Sequence, residues 1–178
     1  VERSNKLNEY STKLVELRKE KGMTKEMADS LILNTVYFGV MMVKNSDADG
    51  MVAGAITSTG DVLRPALQIL RTAKNVKLVS SFFLMELPDS SNSNNKIFAF
   101  SDCGLVVSPN AEELSEIAIQ TAKSFDYLTG EEPRVAMLSY STFGSASGDL
   151  VDKVVLATNM VKTRYPNLKI DGELQLDA

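Results

Sequence analysis

Arg134-Val135-Ala136-Met137-Leu138-Ser139-Tyr140-Ser141-Thr142-Phe143-Gly144-Ser145-Ala146-Ser147-Gly148 opens as a short apolar run and ends in hydroxyls and glycine. The run reads as a buried strand, and the tail as a tight loop at the entrance of a helix. Behind it Leu150, Val151, Val154, Val155, Thr158 and Val161 recur at helical spacing, and Pro166 ends the helix. Leu168 to Leu176 then reads as a further strand. Strand, loop, helix, strand is the order of a mostly parallel α/β sheet with right-handed crossovers.

Upstream the same grammar repeats. Met51-Val52-Ala53-Gly54-Ala55-Ile56 is continuous and apolar, as a strand buried on both faces would be. Thr57-Ser58-Thr59-Gly60 follows as a loop, and Val62 to Leu70 as a helix in which Pro65 predicts a kink or a fresh first turn. Ahead of these, Leu7, Tyr10, Leu14 and Leu17 mark a helix that Gly22 stops. Thr24 caps a second helix through Ile32, and Asn34 caps a third carrying Val36, Tyr37, Val40, Met41 and Val43. Between the halves, Leu78 to Met85 and Ile97 to Ser101 predict a hairpin with the polar tip Pro88 to Asn95. Asn110 with Glu113 is a capping signature for a helix whose apolar face is Leu114, Ile117, Ala118, Thr121, Ala122 and Phe125. The connector near Thr72 to Asn75 is the expected boundary, with 1–74 in a first α/β domain and 75–178 in a second, truncated one.

Composition narrows the chemistry. The 178 residues are 44% hydrophobic with a net charge of −4, which suits one domain or one and a half and argues against a nucleic-acid platform. Ten glycines and five prolines are too few for a disordered or fibrous chain. A single cysteine excludes a disulfide framework and a Cys-based zinc site. The absence of histidine removes Ser-His-Asp and Cys-His catalysis, leaving proton work to carboxylates, Lys or Tyr. No apolar stretch reaches the length of a membrane span, so a cytoplasmic setting is expected. A start at Val1 and an end at Ala178 within an extended segment predict a piece of a longer protein.

Both hydroxyl-rich loops combine small residues with a helix start, and so predict an anion cradle for which phosphate is the natural occupant. The candidate ligands are Ser58 and Thr59 in the first loop and Ser139, Tyr140, Ser141 and Thr142 in the second. Neither loop is a Walker A or a dinucleotide fingerprint, and for either loop alone an ordinary turn whose Ser and Thr cap the helix is the favoured reading. Arg64 adds a guanidinium suited to bidentate anion recognition, against a surface pair with Asp61; spacing leaves both readings open. Cys103 has no histidine to activate it and reads as a buried structural thiol. No metal pattern is present, Asp47, Asp49 and Asp61 reading as loop and cap residues.

Five ordered blocks carry a resemblance. They are Tyr37-Phe38-Gly39-Val40-Met41-Met42-Val43-Lys44, Ala48-Asp49-Gly50-Met51-Val52-Ala53-Gly54-Ala55, Asp61-Val62-Leu63-Arg64-Pro65-Ala66-Leu67-Gln68-Ile69, Val135-Ala136-Met137-Leu138-Ser139-Tyr140-Ser141-Thr142 and Ile170-Asp171-Gly172-Glu173-Leu174-Gln175. In this order they resemble the phosphate acetyltransferase (phosphotransacetylase) family across essentially the whole chain. The resemblance implies reversible acetyl transfer between coenzyme A and phosphate, with coenzyme A as a substrate, no prosthetic group and no metal. It also implies a homodimer of two α/β domains with an isocitrate/isopropylmalate dehydrogenase-like architecture and the active site in the interdomain cleft. By the same resemblance Arg64 lines the substrate cleft, Arg18 binds a phosphate of the coenzyme, and Ser139 to Thr142 form the second loop of the site.

The departures are as informative. Thr57 stands where the family often has His and inherits no role. Ser90 stands where some relatives carry a cysteine, so Cys103 inherits no importance. The resemblance implies that the family's Asn-Asp-Leu-Ser-Arg block and the aspartate taken as its base fall beyond Ala178, so the chain is expected to be a central fragment lacking the C-terminal catalytic segment. The competing expectations are a phosphate butyryltransferase, a non-catalytic acetyl-CoA-sensing module, and a phosphate-binding domain with no coenzyme site.

Overall fold

In the computed structural model, which describes residues 1–74, 76–88 and 96–178, the chain divides into two compact units, Val1–Val76 and Lys77–Ala178. Asn75 of the expected connector, and the hairpin tip from Asp89 to Asn95 with Ser90 in it, lie outside the described residues.

The first unit is a set of helices built on the expected stops and caps. Leu7–Arg18 form α1, and a short 3-10 turn ends at Gly22, whose φ of 75° is the left-handed conformation a helix stop needs. The Thr24 hydroxyl accepts from the Met27 N–H at 3.3 Å and starts α2 (Lys25–Ile32). The Asn34 side chain accepts from the Val36 and Tyr37 N–H groups at 2.9 and 3.3 Å and starts α3 (Thr35–Lys44). These caps satisfy amide groups that the first turn of a helix leaves open. Tyr10, Leu14, Ile32, Val36, Val40, Met41 and Ile69 close the core. The Tyr10 hydroxyl donates to Asp47 at 2.6 Å; burial, then this carboxylate, push the phenol pKa up to about 12.

Two expectations fail here. Met51 to Ile56 is not a buried strand: Val52 and Ile56 are fully exposed, and only Met51 packs on the core. A strand needs a neighbour to share its ladder, and the described residues of this unit form helices only. The following helix, α4 (Thr59–Ile69), starts three residues earlier than expected and runs through Pro65. The cap, rather than the proline, sets its start.

In the second unit β1 (Phe82–Leu87) and β2 (Lys96–Ser101) form an antiparallel hairpin, with Phe82 opposite Ser101 and Leu87 opposite Lys96. A reciprocal capping box between Asn110 and Glu113, 2.9 Å in each direction, opens α5 (Ala111–Thr129). Asn110→Ala is expected to lower the unfolding free energy by about 1 kcal/mol, readable as a shift of the denaturant midpoint at constant slope. Next come β3 (Arg134–Leu138), α6 (Asp149–Arg164) and β4 (Lys169–Leu174), with β4 parallel to β3. Ala118, Ile119, Met137, Val154, Ala157, Val161 and Ile170 make the core under α5 and α6.

The fold is therefore α/β, with small sheets flanked by helices. The sheets are not mostly parallel, since one of the two described is the antiparallel hairpin. Nor is β3 buried on both faces: only Met137 of its five residues is buried, and among the described residues β3 pairs with β4 alone.

Asp102 ends the hairpin as a hub. Its carboxylate accepts from the Gly104, Leu105 and Val106 N–H groups and from both the N–H and the hydroxyl of Ser81, at 2.7–3.3 Å. Partial burial pushes its pKa up, but these donors outweigh it and hold the group at about 2. The ionised form is thus bound better folded than unfolded. It contributes stability above pH ~4 that is lost as the pH falls through about 2. Asp102→Asn is expected to flatten the loss of stability between those values in an acid titration followed by circular dichroism.

Candidate functional site

The first cluster is organised around α4. Ser58 is its cap: the hydroxyl accepts from the Asp61 N–H at 3.2 Å and donates to the Asp61 carboxylate at 2.7 Å. Asp61 is thereby occupied, and the surface pair with Arg64 does not form. Arg64 is exposed, with no ion pair or hydrogen bond among the described residues. Thr59, the first helical residue, is exposed.

One turn after Arg64, on the same face of α4, stands Gln68. Its main-chain oxygen accepts from Arg18 Nη1 at 3.4 Å, and its side-chain oxygen accepts from the Tyr37 hydroxyl at 2.9 Å. Arg18, at the C-terminal end of α1, is half-buried and has no counter-ion among the described residues; its Nε is enclosed without a hydrogen-bond partner. A guanidinium has five donors in a fixed fork, and here most of them are unspent. Neither arginine has a carboxylate partner among the described residues: Arg18 bonds Gln68, and Arg64 stands one helical turn before it. An anion is the ligand such an arrangement accepts. Sequence reading had paired neither arginine with Gln68 or Tyr37, whose contacts span 50 and 31 positions.

The second cluster is the Ser139 to Gly148 loop, and the donors of its Ser141 to Gly144 turn are already taken. Ser141 is fully buried; its hydroxyl lies 3.1 Å from Glu173 Oε1, 3.2 Å from the Ala146 carbonyl, and accepts from the Ala146 N–H at 3.1 Å. The Gly144 N–H donates to the same Glu173 oxygen at 2.6 Å. The Thr142 hydroxyl accepts from the Gln175 N–H at 2.8 Å and donates to the Gln175 side-chain oxygen at 3.3 Å. Ser139 accepts from the Ser141 N–H at 3.3 Å, and the Tyr140 hydroxyl donates to the Ser147 carbonyl at 3.3 Å. The expected cradle therefore encloses an anion of the chain's own, the Glu173 carboxylate. The Gly144 N–H first, then the residue's own N–H and the Ser141 hydroxyl, hold its pKa below the usual value against the opposing effect of burial.

What the loop leaves open is its outer face, where Tyr140 and Phe143 are 51% and 66% exposed. Glu173 and Gln175 had no assigned role in the sequence reading. The signal that would have found Glu173 is Gly172 before it. Cys103 is half-buried rather than buried, its thiol donating to Ser81 at 3.4 Å. Among the described residues no group of three or more His, Cys, Asp or Glu is placed to hold a metal ion. No helix among them is long and apolar enough to cross a membrane.

Comparison with known proteins adds the following. The description "phosphate acetyl/butaryl transferase" matches residues 1–178. The chain is 57% identical over 175 residues to a phosphate acetyltransferase of Acetivibrio thermocellus, covering 98% of this chain and 53% of that protein. Among solved structures it is similar to a EutD phosphotransacetylase from Staphylococcus aureus, with TM-score 0.83, 40% identity, and 98% and 52% of the two chains covered. It is similar also to a phosphotransacetylase from Streptococcus pyogenes, with TM-score 0.84, 40% identity, and 99% and 52% covered. The chain spans about half the length of the curated relatives it matches.

Proposed function

Because this chain belongs to the phosphate acetyl/butaryl transferase family, we propose that the whole protein transfers an acetyl group between coenzyme A and phosphate. In one direction the coenzyme thiolate attacks the carbonyl carbon of acetyl phosphate. A sulfur–carbon bond forms, the carbon–oxygen bond to phosphorus breaks, and phosphate leaves with the electron pair. The observation that carries this reading is that Arg64 and Arg18, one a helical turn before Gln68 and the other bonded to its main-chain oxygen, have no carboxylate partner among the described residues. Arg64 binds the phosphoryl oxygens and stabilises the charge that grows on the leaving group. Arg18 holds a phosphate of the coenzyme and so orients the thiol. Thr59, at the amino end of α4, adds a hydroxyl donor, while Ser58 shapes that end as a cap. In the second loop Ser139, Ser141 and Thr142 hold the main chain in place, and Tyr140 contacts substrate.

The reading includes coenzyme A as a substrate rather than a prosthetic group, a metal-free reaction, and a cytoplasmic homodimer of dehydrogenase-like two-domain subunits. Residues 1–74 and 75–178 are parts of those two domains. The relatives named as acetyltransferases favour acetyl over the butyryl alternative.

The test is thioester formation from acetyl phosphate and coenzyme A by the full-length protein, beside butyryl phosphate. Faster turnover of the acetyl substrate supports the reading. Preference for butyryl phosphate replaces it with the butyryltransferase, and coenzyme binding without turnover replaces it with a sensing module. Arg18→Ala is expected to raise KM for coenzyme A about tenfold or more while kcat changes little, as the loss of a charged anchor requires.

A further inference from the structure

β4 carries one residue too many. Arg134, Val135 and Ala136 face Lys169, Ile170 and Asp171 in step, but the next pair is Leu138 with Leu174, so two steps on β3 span three on β4. The extra residue falls at Gly172–Glu173. Ile170 and Glu173 are both buried although they are three apart, where simple alternation would turn one of them outward. A bulge re-aims a side chain, and here it turns a carboxylate under the loop that follows β3.

That carboxylate is 5% exposed and has no cation beside it among the described residues. Its partners are the Ser141 hydroxyl at 3.1 Å and the Gly144 N–H at 2.6 Å, and the Glu173 main-chain oxygen accepts from the Phe143 N–H at 3.2 Å. The Ser141 to Gly144 turn is thus tied to one residue by three bonds. With the Ser141 and Gly144 donors held by a carboxylate and the Phe143 N–H by a main-chain oxygen, the turn offers a phosphate negative charge rather than donors. Its open surface is aromatic, Tyr140 and Phe143.

We infer that Glu173 is a positioning residue: it holds the Ser141 to Gly144 turn so that Tyr140 and Phe143 stand out as a contact for the coenzyme, not for phosphate. This rests on the acetyl-transfer reading above. Exposed rings on a turn whose main chain is tied down suit the adenine or the apolar arm of that substrate.

The experiment uses the full-length protein with Glu173→Ala and Glu173→Gln, measuring steady-state kinetics in both substrates and hydrogen exchange of the Gly144 amide. Glu173→Ala is expected to raise KM for coenzyme A about tenfold, the effect of losing hydrogen bonds to a charged group. KM for acetyl phosphate and kcat stay within about threefold, and the Gly144 amide exchanges faster. Glu173→Gln keeps an acceptor oxygen and gives the same pattern at smaller size; it decides the matter if the alanine variant does not fold. A faster-exchanging Gly144 amide with unchanged KM for coenzyme A overturns the positioning role. So does a rise in KM for acetyl phosphate instead. Absence of turnover in the unaltered protein overturns the functional reading itself, and is told apart because it appears before any substitution is made.

Discussion

Arg64→Ala in the full-length protein is expected to lower kcat/KM for acetyl transfer by about 100-fold or more, the scale seen when a donor to developing negative charge is removed. Stability should not follow. Arg64 is exposed and holds no partner among the described residues, so its truncation is a surface change worth within about 0.5 kcal/mol. The two readouts together separate a substrate contact from a structural one. Arg64→Lys is expected to recover part of the rate, because a lysine supplies charge but not the bidentate fork. An unchanged kcat/KM in the alanine variant, measured beside an unchanged Tm, would remove Arg64 from the site. The reason to expect the larger result is that Asp61, bonded to Ser58 at 2.7 Å, forms no ion pair with Arg64, whose charge is left for a ligand.

Gly172→Ala should be the most damaging single-methyl change in the second unit. At φ 142° the glycine sits where L residues are rarely found. A Cβ there would lie 2.6 Å from the Met137 carbonyl oxygen and 2.7 Å from the Met137 Cβ, in the core between β3 and β4. The backbone strain and the overpacking each cost about 1–3 kcal/mol, so a combined loss of about 3 kcal/mol or more is expected. For a unit of this size that lowers Tm by about 10 °C or more. Gly22→Ala is the control. Its φ of 75° also disfavours a side chain, but nothing lies within 4 Å of the added atom, and the expected loss is about 1 kcal/mol. Equal losses at the two positions would show that backbone conformation, not the approach of Met137, dominates. Because Gly172 precedes Glu173 in the bulge, a folded Gly172→Ala protein is also expected to loosen the Ser141 to Gly144 turn.

The sequence by itself determined which stretches are helical, the caps of three of those helices and, in the second unit, the order of strand, loop and helix, because these depend on residues close together in the chain. Thr24, Asn34 and Asn110 accept from amides within three positions, and Gly22 adopts its conformation whatever lies around it. The blocks holding Arg64 and Ser139 to Thr142 likewise pointed to the family without any geometry. Two local readings failed where a distant partner decides. Met51 to Ile56 has the composition of a buried strand but no ladder to join among the described residues of its unit, and β3 buries only Met137 because face burial depends on what packs against the strand. Only the tertiary structure decided which hydroxyls are free. Glu173 lies 32 residues from Ser141, and its register follows from a one-residue bulge that alternation does not encode. The same holds for Arg18, brought to Gln68 across 50 residues by helix packing. Charge, hydroxyl and glycine patterns name candidates for an anion site, but whether their donors are spent inside the fold or left for a ligand is settled by contacts made only when the chain closes on itself.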